Sequence, residues 1–344
     1  MEKGFSYGQL SRRRRLILGI AVILCVAAFA GNVLVGSSGT SPAVILYGIF
    51  FRNRIDARTR AIIWSMRLPM GIMGVLVGAA LGTAGSVMQT ILNNPLASPY
   101  TLGISAGAGF GASLALLGGF GIATVLGTLL VPASAFLFAL LASAGIYLIS
   151  VRKNFTSATM VLAGIGMVFF FQALQSFMQY IASPEALQSI VFWTFGSLQK
   201  ANWSGVLILF AVFVLVFIRI LRCSWKLTAM KLGDSRASSM GVNVERLRKE
   251  MFFLISLLTA TAVAFVGSIG FIGIVGPHIA RMIVGEDQRY FMPLSALNGA
   301  VLLSVSSILS KILVPGTIFP IGILTSLIGV PFFFFLILRQ RGNR

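Results

Sequence analysis

NNPLASPYTLGISAGAG, residues Asn93–Gly109, places two prolines, two asparagines and three glycines within seventeen positions. The chain around it is 57% hydrophobic and 10% charged, with a mean hydropathy of +0.94. That composition excludes an ordinary soluble domain and reads as an all-α integral membrane protein, because lipid offers backbone groups no partners and a helix satisfies its own. Proline and glycine at this density end one helix and admit the next closely. The segment is therefore a turn between spans, on the side where the second span ends.

Outward from this turn, apolar runs separated by charged or Pro/Gly/Asn punctuation give ten candidate spans: 16–36, 62–92, 101–118, 120–149, 158–182, 205–221, 251–268, 270–285, 291–313 and 320–338. Most approach the ~20 residues needed to cross the hydrocarbon core; 101–118 and 270–285 are short and glycine-rich. The first run follows Arg12–Arg15 directly and is too long and too weakly terminated for a cleaved signal peptide, so it is read as a retained helix. Cys25 and Cys223 are too few and too far apart for a disulfide framework or a metal cluster.

The formal charge is +19, and its basic residues flank apolar spans, which points to topology rather than to nucleic acid. With both termini cytoplasmic, all but seven of the 27 Lys and Arg residues fall on the cytoplasmic side, Lys3, Arg152, Lys153, Arg281, Arg289, Arg339, Arg341 and Arg344 among them. Five of the seven exceptions, Arg52, Arg54, Arg58, Arg60 and Arg67, cluster between the first two spans. Two readings of that cluster stand open: a solvated juxtamembrane segment, or an outward basic surface that docks an acidic partner.

The absences are informative. All eight carboxylates, Glu2, Asp56, Glu185, Asp234, Glu245, Glu250, Glu286 and Asp287, fall in loops or at span ends. An ion-coupled secondary transporter usually keeps ionisable groups at mid-membrane, so this class is disfavoured. No G-x-x-x-x-G-K-[ST] phosphate loop is present, no set of nucleophile, base and orienting acid stands out, and His278 alone cannot build a multi-histidine metal site. The chain is read as no enzyme, with no cofactor or metal of its own. A loose internal echo pairs Gly82, Gly85, Pro95 and Gly103 with Gly267, Gly270, Pro277 and Gly285, as interrupted segments do in the two halves of repeat-built transporters. The segment 226–250 is the longest candidate cytoplasmic connection; Gly233 and Gly241 bracket DSRASSM, a short stretch with helical potential suited to docking a cytoplasmic protein.

Several motifs together resemble the FecCD-type permease family, the membrane subunits of ABC importers for iron siderophores, haem and vitamin B12. They are RLPM (67–70), VGAALGTAGSVMQTILNNPLASPYTLGISAGAG (77–109), LAGIG (162–166), FWTFGSL (192–198), LGDSRASSMGV (232–242), GSIGFIGIVGPHIAR (267–281) and FPIGILTSLIGVPFFFFLILR (319–339). The resemblance implies one permease domain over 1–344 with ten transmembrane helices in the vitamin B12 importer-like fold. It also implies pairing with a second copy or a close paralogue around a central translocation path. A cytoplasmic ATPase dimer would bind ATP and Mg, an extracytoplasmic binding protein would deliver the ligand, and the location would be the bacterial inner membrane. A ferric siderophore is the expected cargo, with haem or cobalamin as alternatives.

Carried over residue by residue, the resemblance implies that Arg67 and Lys311 dock the binding protein, with Arg52, Arg54, Arg58 and Arg60 compensating for family positions that differ here: Met70, Ser307 and Ile318. Gly233, Asp234, Ala237, Met240, Gly241 and Val242 would form the ATPase-coupling helix. Asn94, Leu96 and Ser157 would form the cytoplasmic gate. Met160, Met167, Gln172, Gln175 and Met178, at helical spacing on the fifth span, are candidates either for lining the path or for plain packing.

Overall fold

The computed structural model describes residues 7–36, 39–118, 125–153, 155–313 and 317–340, and among them the secondary structure is helical. The helices are α1 (Tyr7–Leu34), α2 (Pro42–Phe50), α3 (Ala57–Ala61), α4 (Leu68–Ile91), α5 (Ile104–Leu117), α6 (Val125–Val151), α7 (Ser157–Ile181) and α8 (Pro184–Thr194). They continue as α9 (Trp203–Arg222), α10 (Ser224–Met230), α11 (Asp234–Ser239), α12 (Val244–Val266), α13 (Ile272–Val284), α14 (Gln288–Ile312) and α15 (Ile321–Gln340). Among the described residues, seven helices are long and apolar enough to cross a membrane, counting α3 through α4 as one. The runs read at 101–118, 270–285 and 320–338 correspond to shorter apolar helices, Ile104–Leu117, Ile272–Val284 and Ile321–Phe332. The first residues of the run at 120–149 lie outside the described residues, as do Glu2, Lys3, Arg341 and Arg344.

Two departures from the apolar runs have local causes. Helix α12 begins seven residues before its run, at Val244, because the Asn243 side chain accepts a hydrogen bond from Arg246 N and caps a charged first turn. The second span begins as α3, capped by Asp56 on Thr59 N, and passes through a wide turn at Ile62–Arg67, where Leu68 N donates to Ile63 O, before continuing as α4. Helices α2, α8, α10 and α11 cross nothing and sit at the ends of the bundle.

Helix α4 is the spine. Only Leu68, Ile72 and Val75 escape full burial along it, and it packs against α1, α9, α12, α13 and α14. Glycines make that possible: a Cβ on Gly78 would run into the Gly299 carbonyl, one on Gly299 into that of Gly78, and one on Gly85 into that of Gly273. With no side chain between them, the backbones of α4, α13 and α14 approach directly, the arrangement that drives helix association in lipid. In contrast, α7 leaves Leu162, Ile165, Phe169, Phe170, Phe177 and Tyr180 exposed along its length.

The start of α1 defines a proximal end of the bundle and its finish a distal end. Gathered at the proximal end are the Asn93–Gly103 turn, the α6–α7 connection, α10, α11 and the start of α14. Lys231 Nζ donates to Asn93 Oδ1 at 3.3 Å, Gln288 N to Thr228 Oγ1 at 3.1 Å, and Arg14 meets Asp287 at 3.4 Å.

The glycine contact predicts an asymmetric response to one kind of substitution. Gly299→Leu should destabilise the protein by about 3 kcal/mol, the scale of an overpacked core. Gly19→Leu, where a Cβ meets nothing within 4 Å, should stay within about 0.5 kcal/mol. Unfolding midpoints of the two variants in detergent check this.

Candidate functional site

At the proximal end, Gln89 O and Thr90 O receive Asn94 N and Asn93 N, and Asn93 takes φ 45° to leave α4. Asparagine tolerates that left-handed backbone better than most residues. Asn94 Oδ1 then accepts from Leu96 N at 2.9 Å, an Asx turn that holds Leu96 in an exposed position. The chain enters α5 through Gly103, φ 87°, where a Cβ would press on Val168 N of α7. The expected gate residues Asn94 and Leu96 thus lie on a turn braced by its own side chains and packed on α7. Ser157 opens α7 behind the Thr156 cap.

Of the expected coupling residues, Asp234 and Ala237 lie in the short helix α11 and Gly233, Met240, Gly241 and Val242 flank it. Gly233 (φ 100°) and Gly241 (φ 82°) both sit in left-handed backbone, which is what requires glycine there; space does not, since a Cβ meets nothing within 4 Å at either. Between them α11 buries Ala237, and Val242 N closes its end on Ala237 O, while Asp234, Arg236, Ser238, Ser239 and Met240 face outward.

Sequence reasoning missed the residue that joins these pieces. Arg248, on α12, is 4% exposed, and its planar guanidinium reaches three elements. Nε donates to Ile91 O at the end of α4 (2.8 Å), one amino group to Phe155 O in the α6–α7 connection (3.1 Å), and the other to both carboxylate oxygens of Asp234 (2.8 and 2.9 Å). The signal was present: Arg248 stands in register with Val244, Met251 and Ile255, all buried, at the i, i+4, i+7 spacing of a core stripe. Around it, Lys231 and Arg281 both reach Glu286 (3.0 and 3.1 Å), and Arg281 donates to Gln89 Oε1 at 2.6 Å.

At the distal end, the two residues expected to dock a binding protein lie inside the bundle. Arg67 and Lys311 do not stand on the surface; they are 6% and 7% exposed. Arg67 donates to Val33 O and Leu34 O at 3.0 and 2.8 Å. Lys311 Nζ donates to Asn32 O, to Asn32 Oδ1 at 2.6 Å and to Val35 O at 3.2 Å. Both cations close the last carbonyls of α1, which have no partners inside their own helix, and favour the negative end of its dipole. Ser307, at a position where the family resemblance implies an aspartate, donates to Asn32 Oδ1 at 2.9 Å. Arg52, Arg54 and Arg58 remain exposed, with Arg52 over the Trp64 ring at 4.9 Å, while Arg60 is half-buried and donates to Ile55 O.

The candidates for path lining also separate. Met160 and Met178 are buried in the protomer's own packing, Met160 completely, which removes them from any lining surface in this conformation. Met167 packs toward Gly145 and Gln175 toward Gly109, leaving Gln172 as the exposed member of the set. His278 lies edge-on to Phe332 at 5.9 Å, and no cluster of three or more His, Cys, Asp or Glu side chains occurs among the described residues.

A cavity of about 560 Å3 opens at the distal end between Val131, Phe192, Trp193, Gln199, Lys200 and Pro320. Burial disfavours the charged form of Lys200 and lowers its ammonium to about 8.

Two predictions follow from the distal geometry. Lys311→Met leaves carbonyls at the end of α1 without a donor and should destabilise the protein by about 2 kcal/mol before any partner is present; the thermal midpoint of the purified chain measures this. Lys200 should acylate with a half-maximal rate near pH 8, faster below pH 9 than an exposed lysine, because its neutral form is populated there; mass-spectrometric labelling against pH reads the profile.

The FecCD transport family model matches residues 20–339. The hemin transport system permease HmuU of Yersinia pestis is 35% identical over 96% of this chain and 97% of its own. An Fe(3+)-citrate import system permease, YfmE of Bacillus subtilis, is 35% identical over 93% of this chain and 94% of its own. A solved structure assigned to the metal-chelate type of ABC transporter, in an inward-facing conformation, superposes with a TM-score of 0.82 at 33% identity, covering 94% of this chain and 99% of that one. The match runs from the middle of α1 into the last turn of α15, and the chain belongs to the FecCD transport family of ABC transporter permeases.

Proposed function

We propose that this chain is the transmembrane permease subunit of an ATP-driven importer for a ferric siderophore, delivered by an extracytoplasmic binding protein. The observation that carries the reading is α11: a short exposed helix held out between two left-handed glycines and fastened to the gate turn through Arg248. It is suited to sit in a cleft of a cytoplasmic ATPase, which would bind ATP and Mg, and the chain itself carries no phosphate loop. The iron-chelate names of the relatives support the cargo class, hemin and Fe(3+)-citrate alike, and the siderophore is the choice within that class.

The proximal end is then cytoplasmic, with both termini there, consistent with the excess of Lys and Arg on that side. The ten apolar helices cross the inner membrane. The exposed face of α7 is the surface offered to a second copy or paralogue around the path, with Gln172 its polar point. The binding protein meets the distal end at Arg52, Arg54 and Arg58, which are exposed, whereas Arg67 and Lys311 act beneath them by holding α1 in place.

Reconstituted with its ATPase and binding protein, the chain should accumulate the iron chelate only when ATP is hydrolysed. An ATPase lacking its catalytic carboxylate should reduce uptake to background. Uptake that persists with that ATPase, or that follows a proton or sodium gradient instead, overturns the reading.

A further inference from the structure

We infer that Arg248 is the positioning residue through which α11 controls the gate turn, with the Asp234 carboxylate as the connection that transmits displacement. The inference rests on the permease reading above and adds to it the path by which one site acts on the other.

The geometry is specific. Asp234 is the first residue of α11, and its side chain is 58% exposed. It reaches both bonds from a guanidinium that is itself 5% exposed. Two further donors of that guanidinium go to Ile91 O, which ends α4 just before Asn93–Leu96, and to Phe155 O, two residues before Ser157. One rigid plane therefore holds the start of α11, the root of the gate turn and the root of α7. A lysine could make one of these connections as a point charge; only the planar fork holds several in fixed directions.

The two carbonyls are placed to respond. Phe155 has φ 50°, a conformation rare for a bulky side chain, and its fully buried ring is packed edge-on to Tyr147 and Phe252 at 5.4 and 6.3 Å. A residue kept there by its surroundings relaxes when they move. Lys231, three residues before α11, adds a second tie, to Asn93 Oδ1 and Glu286. Of the bonds in this network, the one between Asp234 and Arg248 is the one that leaves α11 itself. If the ATPase shifts α11, the carboxylate pulls a guanidinium that cannot move without disturbing both carbonyls.

The test therefore breaks the carboxylate link and leaves Arg248 in place. Wild-type chain, Asp234→Asn and Asp234→Glu are each reconstituted with the ATPase, and amide hydrogen exchange is followed in peptides covering 92–103 and 234–242, with and without ATP and Mg. In the wild type, ATPase binding should protect 234–242 and ATP should change exchange in 92–103. In Asp234→Asn, compared with the wild type at equal ATPase occupancy as read from protection of 234–242, the ATP-dependent change in 92–103 should fall about fivefold, the low end of ordinary coupling between sites; Asp234→Glu should restore most of it. An undiminished response at 92–103 in Asp234→Asn overturns the inference. Failure of the ATPase to protect 234–242 in the wild type would instead overturn the permease reading on which it rests. Arg248→Lys supplies a second arm: the same loss of response is expected, and a full response there also overturns the role.

Discussion

Helix α4 touches α14 and α13 backbone to backbone, and the remaining architecture is arranged around that contact. Between lipid-exposed helices no hydrophobic drive remains, since lipid is as apolar as leucine, and association depends on how many atoms can be brought into van der Waals range. Gly78, Gly85, Gly273 and Gly299 remove the side chains that would keep the helix axes apart. The consequence is mechanical as well as energetic. A helix held this closely along most of its length does not bend freely, so a displacement at Ile91, its last residue, is shared with α13 and α14 rather than absorbed locally.

Close packing protects the middle of each helix but not its end, where carbonyls have no partner within the helix. In this bundle cations supply the missing donors. Arg67 and Lys311 close α1, and Arg248 closes α4 and the connection after α6. Each is buried, and each would be costly if its charge were left without acceptors. The carbonyls and the cations solve one another's problem, and the outcome is a set of helix ends pinned by long side chains from elsewhere in the chain. This also accounts for two of the positive charges that topology counting leaves on the unexpected side: Arg67 and Lys311 are there for α1.

The membrane class, the apolar spans and the turn at Asn93–Gly103 were legible in the sequence because each rests on local chemistry. Apolar runs have a length, proline stops a helix, and Gly233 and Gly241 bracket the short stretch that becomes α11. The roles of Arg67, Lys311 and Arg248 were not legible, because which carbonyl a long side chain meets depends on tertiary neighbours up to 279 positions away. Arg67, near the start of one apolar run, and Lys311, near the end of another, read as outward charges through the family resemblance. Met160 and Met178 share a helix with exposed residues, and spacing alone does not say which face of α7 turns inward. Only Arg248 left a usable trace, a charge in register with Val244, Met251 and Ile255.

The two ends of the bundle solve the same problem with different acceptors, and that difference bears on which end can move. At the distal end the recorded acceptors of the cations are backbone carbonyls at the end of α1 and a buried amide, Asn32. Releasing them exposes several buried polar groups at once, so the clamp resists change. At the proximal end Arg248 exchanges one set of carbonyl bonds for a carboxylate that is more than half exposed to water, and Lys231 and Arg281 share a Glu286 that is 45% exposed. Exposed carboxylates keep their solvation when a partner withdraws, so breaking these links costs far less. On the permease reading proposed above, the proximal end is the one whose contacts exchange partners at low cost. The chemistry of the acceptors, carbonyl at one end and solvated carboxylate at the other, supplies that difference with the same few cations.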